Sequence, residues 1–168
     1  MRIHTRWNSK DKKVSIGASA EALGVVVWRV AAKGTLNLEN EGFNTTSEMG
    51  RLNVIMEYAC FAVHMVDRMV YDKIDDERRH KFVVTMAKHF AHTYYDNRID
   101  YEKEGEVIDD FKKHFIDTLN ERNAEYGSCD FSKEEGIGFS MKRFFGEHVR
   151  QEMGEKDNKW IPDYIIDK

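Results

Sequence analysis

Residues 54–70 are almost wholly apolar, and the charged or imidazole side chains among them, Glu57, His64, Asp67 and Arg68, fall on a single stripe. At about 100° per residue, an α-helix places Asn53, Glu57, Cys60, His64, Asp67, Arg68 and Tyr71 within an arc of about 100°. The rest of the run is Val, Ile, Met, Phe, Ala or Tyr. A helix that is apolar around most of its circumference must be covered on several sides, which makes it the centre of a helical assembly. The stripe is then either a narrow window to water or a polar seam between helices.

Composition agrees with a helical fold. Of 168 residues, 41% are apolar and 33% charged, with one proline and eleven glycines, which argues against a loop-rich β design. The expected fold class is all-α: a compact globular bundle of about five helices in a single domain, preceded by a short irregular arm over residues 1–18. A formal charge of −4, with acidic neighbours beside each short basic cluster, leaves no electrostatic footprint for nucleic acid. Residues 1–13 are polar and basic, without the apolar core of a signal peptide. No run reaches the roughly 18 apolar residues of a membrane span. The expectation is a soluble, cytoplasmic protein with no membrane or nucleic-acid partner. Cys60 and Cys129 have no zinc-type spacing and read as reduced thiols, Cys60 in the core.

Local signals mark the elements. Ser19 can cap a first helix whose apolar positions Leu23, Val26, Val27, Val30 and Ala31 form one face, with Gly34 as a stop; the β-branched run 25–28 keeps a strand open as the alternative. After a polar link over 37–44, the capping-box spacing of residues 45–48 opens a second helix, about 47–73. Asp75 or Asp76 caps a third, running to about Tyr101, and the short link makes helices two and three antiparallel neighbours. The fourth, about 105–126, buries Val107, Ile108, Phe111, Phe115, Thr118 and Leu119. Ser132 with Glu135 forms a second capping box and places Gly136 and Gly138 in the first turn of a fifth helix, which ends near Gly154. Residues 155–168 form a tail in which Trp160, Ile161, Tyr164, Ile165 and Ile166 call for burial, against this chain or a second copy.

Two constellations bear on chemistry. On helix three, Thr85, His89, His92 and Asp96 share a face, so two imidazoles and a carboxylate can converge on a metal. On helix two, His64 and Asp67 are an i, i+3 pair, with Glu57 two turns earlier. If the stripes face each other, Glu57, His64, Asp67, His89 and His92 form a candidate site for a divalent metal. Ahead of the metal, the stripe of helix three reads as a solvated face, and that of helix two as a self-satisfying polar network or narrow solvent window, with Asp67 accepting from His64 or Arg68. A di-metal carboxylate bundle needs two Glu-x-x-His copies, and this chain has one, Glu77 to His80. GxSxG, P-loop and HExxH patterns are absent. No catalytic residues are assigned. The leading expectation is a protein-interaction or self-association domain that uses apolar surface near Phe144 and the tail; the alternative is a metal-binding bundle, an enzyme among its possibilities.

Overall fold

The computed structural model describes residues 15–45, 47–101, 110–132, 136–154 and 158–167. Six α-helices dominate them: α1 (Ile16–Asn40), α2 (Glu48–Val70), α3 (Asp76–Ile99), α4 (Phe111–Gly127), α5 (Phe139–Met153) and α6 (Ile161–Ile166). A 3-10 turn, Asn158–Trp160, leads into α6. Between α4 and α5, β1 (Phe131–Ser132) pairs antiparallel with β2 (Gly136–Ile137). The fold is therefore all-α with one small hairpin. No described helix is long and apolar enough to cross a membrane.

The central position expected for the 54–70 segment is found. α2 touches α1, α3, α4 and α5. Its Leu52, Met56, Ala59 and Val63 join Trp28 of α1, Phe90 of α3 and Phe115 of α4 in one apolar cluster. Val54, with Tyr58 and Phe61 packed beside it, joins Tyr126 of α4, Phe145 and Val149 of α5 and Ile161 of α6 in a second. α3 is capped as read, by Asp75 accepting from Arg78 N; α2 opens at the expected place, but its cap is Ser47, accepting from Gly50 N, while Thr45 of the expected capping box donates to Glu39 instead. They run antiparallel: Asn53, early in α2, meets Tyr94, late in α3, while Asp67 meets Arg79.

Several expectations are corrected. Ser15 rather than Ser19 caps α1, so residues 16–18 of the expected arm are helical, while residues 1–14 lie outside the described residues. Neither Gly34 nor the polar stretch after it stops the helix before Asn40. Gly34 is an approach point: a Cβ there would sit 2.9 Å from the Tyr58 ring, and one at Gly24 2.6 Å from His89. The chain turns instead at Gly42, whose φ of +92° suits glycine. The strand alternative for 25–28 is not realised. The inward face of α1 is Ala20, Gly24, Trp28, Ala31, Thr35 and Leu38, which leaves Val26 and Val30 outside.

The fourth helix begins at Phe111, capped by Asp110, and Val107 and Ile108 lie outside the described residues. The Ser132 capping box does not form. Ser132 pairs with Gly136 in the hairpin, Glu135 lies outside the described residues, and Gly136 at φ +74° cannot belong to a right-handed helix. α5 starts three residues later, behind Gly138.

The tail supplies the sixth helix and packs on this chain. Buried Asn158 donates from Nδ2 to the carbonyls of Met153, Gly154 and Asn44, tying the turn to both α5 and the α1–α2 link. Ile161 is fully buried, Tyr164 packs edge-on against Phe43, and Lys142 Nζ donates to Ile166 O. Trp160 departs from the expectation and stays 59% exposed. Phe144 is 42% exposed. It lies about 200° around α5 from Gly146, the residue that meets α6, so Phe144 and the tail flank opposite sides of that helix.

A Cβ on Gly146 would stand 2.7 Å from Pro162 Cα, backbone that cannot swing aside. Gly146→Ala should therefore lower unfolding free energy by about 1–3 kcal/mol in denaturant titration. Gly127→Ala, which meets no atom within 4 Å, should leave stability unchanged or slightly raised.

Candidate functional site

The stripe of α2 is a seam inside the bundle, and Asn53, Glu57, His64 and Asp67 each find a partner on another helix. Asn53 Oδ1 accepts from Tyr94 of α3 at 3.0 Å, and its Nδ2 donates to Glu152 of α5 at 2.9 Å. Arg98 donates to the same Tyr94 oxygen, so four side chains from three helices form one chain of hydrogen bonds. One turn along α2, Glu57 has no exposed surface and receives two hydrogen bonds from Arg122 of α4, at 2.9 Å from Nε and 2.8 Å from Nη2. Burial opposes the charge on Arg122, but its hydrogen bonds to Glu57 outweigh that and hold the guanidinium above its ordinary pKa. Two parallel N–H···O bonds are the geometry that makes a desolvated ion pair tolerable.

Beyond Cys60, the seam changes character. Burial pushes the fully buried Cys60 thiol well up, which keeps it protonated and unfit as a nucleophile. His64 Nδ1 lies 3.3 Å from Asn123 Oδ1 of α4. With that oxygen as acceptor the ring proton sits on Nδ1, and Nε2 carries a lone pair that is buried and unpartnered. Asp67 pairs with Arg79 of α3 at 3.3 Å rather than with His64 or Arg68. Arg68 Nε is buried without a partner. These residues border a cleft of about 340 Å³ between α2, α3 and α4, to which His80 and the apolar Val63 and Val83 also contribute. Burial, with the nearby Arg68 charge, pushes the His64 imidazole below its ordinary pKa, against the Asn123 hydrogen bond and Asp67.

The two stripes considered for a metal are placed apart. Glu57 is occupied by Arg122 and Asp67 by Arg79, while His64 faces α4. On α3, His89 lies against Gly24 of α1 and His92 is exposed. Among the described residues no group of three or more His, Cys, Asp or Glu side chains is positioned to hold a metal ion. Glu77 and His80 both lie on the exposed first turn and a half of α3.

Arg122, Asn123 and Arg79 were not legible as site residues from sequence. Arg122 left one trace: it follows Thr118 and Leu119 by four and three residues, so it continues the buried face of α4 between Phe115 and Tyr126. A cation on a face otherwise committed to the core is a signal for a buried counter-charge. A separate contact joins α4 to α5, where His148 Nε2 lies 2.5 Å from Glu125. Comparison with protein-family models, with curated proteins and with solved structures finds no match to this chain.

Arg122→Met should strand Glu57 as an unpaired buried carboxylate and lower stability by about 3–5 kcal/mol. The double variant Glu57→Met/Arg122→Met should recover much of that loss, and a double-mutant cycle in denaturant reads the coupling directly. His64 gives a pH signature. Its ring is held neutral in the folded state and titrates near pH 6.5 when unfolded, so its contribution is complete above that value. The contribution falls as pH drops from about 6.5 towards the lower folded pKa, with a slope of at most about 1.4 kcal/mol per pH unit. Unfolding curves between neutral pH and about pH 5 should show a steeper loss for the wild type than for His64→Gln.

Proposed function

We propose that this chain is a protein-interaction domain that self-associates through the outward face of α1. The observation that carries the reading is the exposure of Val26 and Val30, 55% and 61% respectively, on a helix whose other side is packed. Trp28 points inward at 1% exposure, and Val26 and Val30 lie about 160° and 200° around the helix from it. The outward stripe is Ser19, Leu23, Val26, Val30, Lys33 and Asn37, with spacings of 4, 3, 4, 3 and 4. That is the alternation by which helices pack along a shared seam.

The stripe is apolar in its middle and polar at both ends. An antiparallel, two-fold pairing of α1 with the same helix of a second copy sets Val26 against Val30, Ser19 against Asn37 and Leu23 beside the aliphatic stem of Lys33, as an isologous interface requires. Each large aliphatic side chain buried contributes about 1.5–3 kcal/mol, so Val26 and Val30 from both copies supply a share of a weak dimer's affinity, while Leu23 is already packed against this chain's own core.

Sedimentation analysis of the full chain over a range of concentrations should show a monomer–dimer equilibrium. Val26→Glu/Val30→Glu should be monomeric throughout, with helical circular dichroism and melting temperature within the range of exposed substitutions. A wild-type chain that remains monomeric at the highest concentration, or a double variant that dimerises equally well, overturns the reading.

A further inference from the structure

The cleft at the C-terminal end of the α2 seam poses a different question, independent of the α1 surface. It is lined by the cations Arg68 and Arg79, and the carboxylate among its described lining residues, Asp67, is already paired with Arg79. Among the described residues Arg68 has no ion pair of its own. Its Nε–H is buried without an acceptor, although a buried donor without a partner carries a cost comparable to a lost hydrogen bond. One turn away on the same helix face, His64 is 5% exposed and its Nε2 is likewise unpartnered. The residues that line the cleft therefore carry two buried, unsatisfied atoms of opposite hydrogen-bonding character: a guanidinium donor at Arg68 and, with the proton on Nδ1, an imidazole acceptor at His64.

We propose that this cleft is a binding site for the phosphate group of a small phosphomonoester, with Arg68 Nε–H donating to a phosphoryl oxygen and His64 Nε2 accepting from the phosphate hydroxyl. The pair of demands selects the ligand class. A carboxylate at neutral pH offers acceptors only and would leave His64 Nε2 facing another lone pair. A phosphomonoester monoanion, the form that prevails below a second pKa of about 6 and that binds at pH 7 with uptake of a proton, offers charged acceptor oxygens together with an O–H. The Arg fork suits phosphate geometry. Val63 and Val83 supply apolar wall for a short carbon body, and a cleft of about 340 Å³ stands at the small end of ligand-binding cavities. Asn123 is a positioning residue: its Oδ1 holds the ring proton on Nδ1 and so leaves Nε2 as the acceptor.

The test is a titration of the full chain with inorganic phosphate, compared with acetate and chloride at matched ionic strength and pH 7. Two readouts are followed, the melting temperature and the ring-nitrogen chemical shifts of His64 in the 15N-labelled protein. Phosphate should raise the melting temperature and move the His64 Nε2 resonance along a saturable curve, while acetate and chloride leave both in place. Arg68→Met should weaken phosphate binding about tenfold or more, the loss of one charge-assisted hydrogen bond. Lys88→Met, which removes an exposed cation elsewhere on α3, should bind as the wild type does. An unmoved His64 resonance in saturating phosphate overturns the proposal, as does an equal response to acetate or an equal affinity in Arg68→Met. Should Arg68→Met fail to fold, the wild-type titration of the His64 ring decides alone.

Discussion

The buried pair between Glu57 and Arg122 is the constraint on which the arrangement of helices depends. Glu57 has no exposed surface, so its charge is tolerable only where both carboxylate oxygens are engaged, and Arg122 of α4 engages both. That fixes the rotation of α2 about its axis. A shift of one residue would turn Glu57 by about 100°, into an apolar neighbourhood with no partner. With the rotation set, one flank of α2 faces the cluster built on Trp28, Phe90 and Phe115, and another faces the cluster built on Tyr126, Phe145 and Ile161. α4 is held to the seam by the same two hydrogen bonds, which places Asn123 beside His64.

Satisfaction along the seam is graded. At its N-terminal end Asn53 uses both ends of its amide, and Glu57 uses both oxygens. At His64 one ring nitrogen is engaged and the other is not, and at Arg68 the buried Nε has no acceptor. The first half of the stripe therefore serves packing, and the second half borders a cleft. A single helix thus carries both a structural polar network and a set of groups with unused hydrogen-bonding capacity. The same rotation that buries Glu57 brings His64 and Arg68 to that cleft.

Much of this order was legible in the chain. The apolar run around Glu57 and His64 announced a central helix, the cap at Asp75 marked where α3 begins, and the polar stretch 45–48 marked the start of α2, although Ser47 rather than Thr45 caps it. The nature of the seam was not legible, because Arg122 and Asn123 lie 65 and 59 residues away from the groups they contact. Within α1 the apolar residues outnumber what one face can hold, and the helical periodicity pointed to a face with Val26 and Val30 on it, which is not the one that turns inward. The larger ring won: Trp28 packs against Phe90, and Val26 and Val30 were carried to the outside. At Gly34 a signal for termination was overridden by close approach to Tyr58. At Ser132 a plausible cap lost to the hairpin that sets Phe131 against Ile137.

What the sequence determined by itself is local: which segments are helical, where polar groups line up on a helix, and the absence of a long apolar span among the described helices. These follow from periodicity and capping, which act over a few residues and are written in neighbouring positions. The tertiary structure alone decided which stripe meets which. It placed Glu57 on Arg122 and Asp67 on Arg79, set His89 against α1 rather than beside His64, and closed the tail onto α5 through Asn158 and Ile161. Those pairings depend on how helices are rotated and stacked in space. Rotation is chosen by the whole set of buried groups together, each needing cover or a partner at once, and no short stretch of sequence contains that sum.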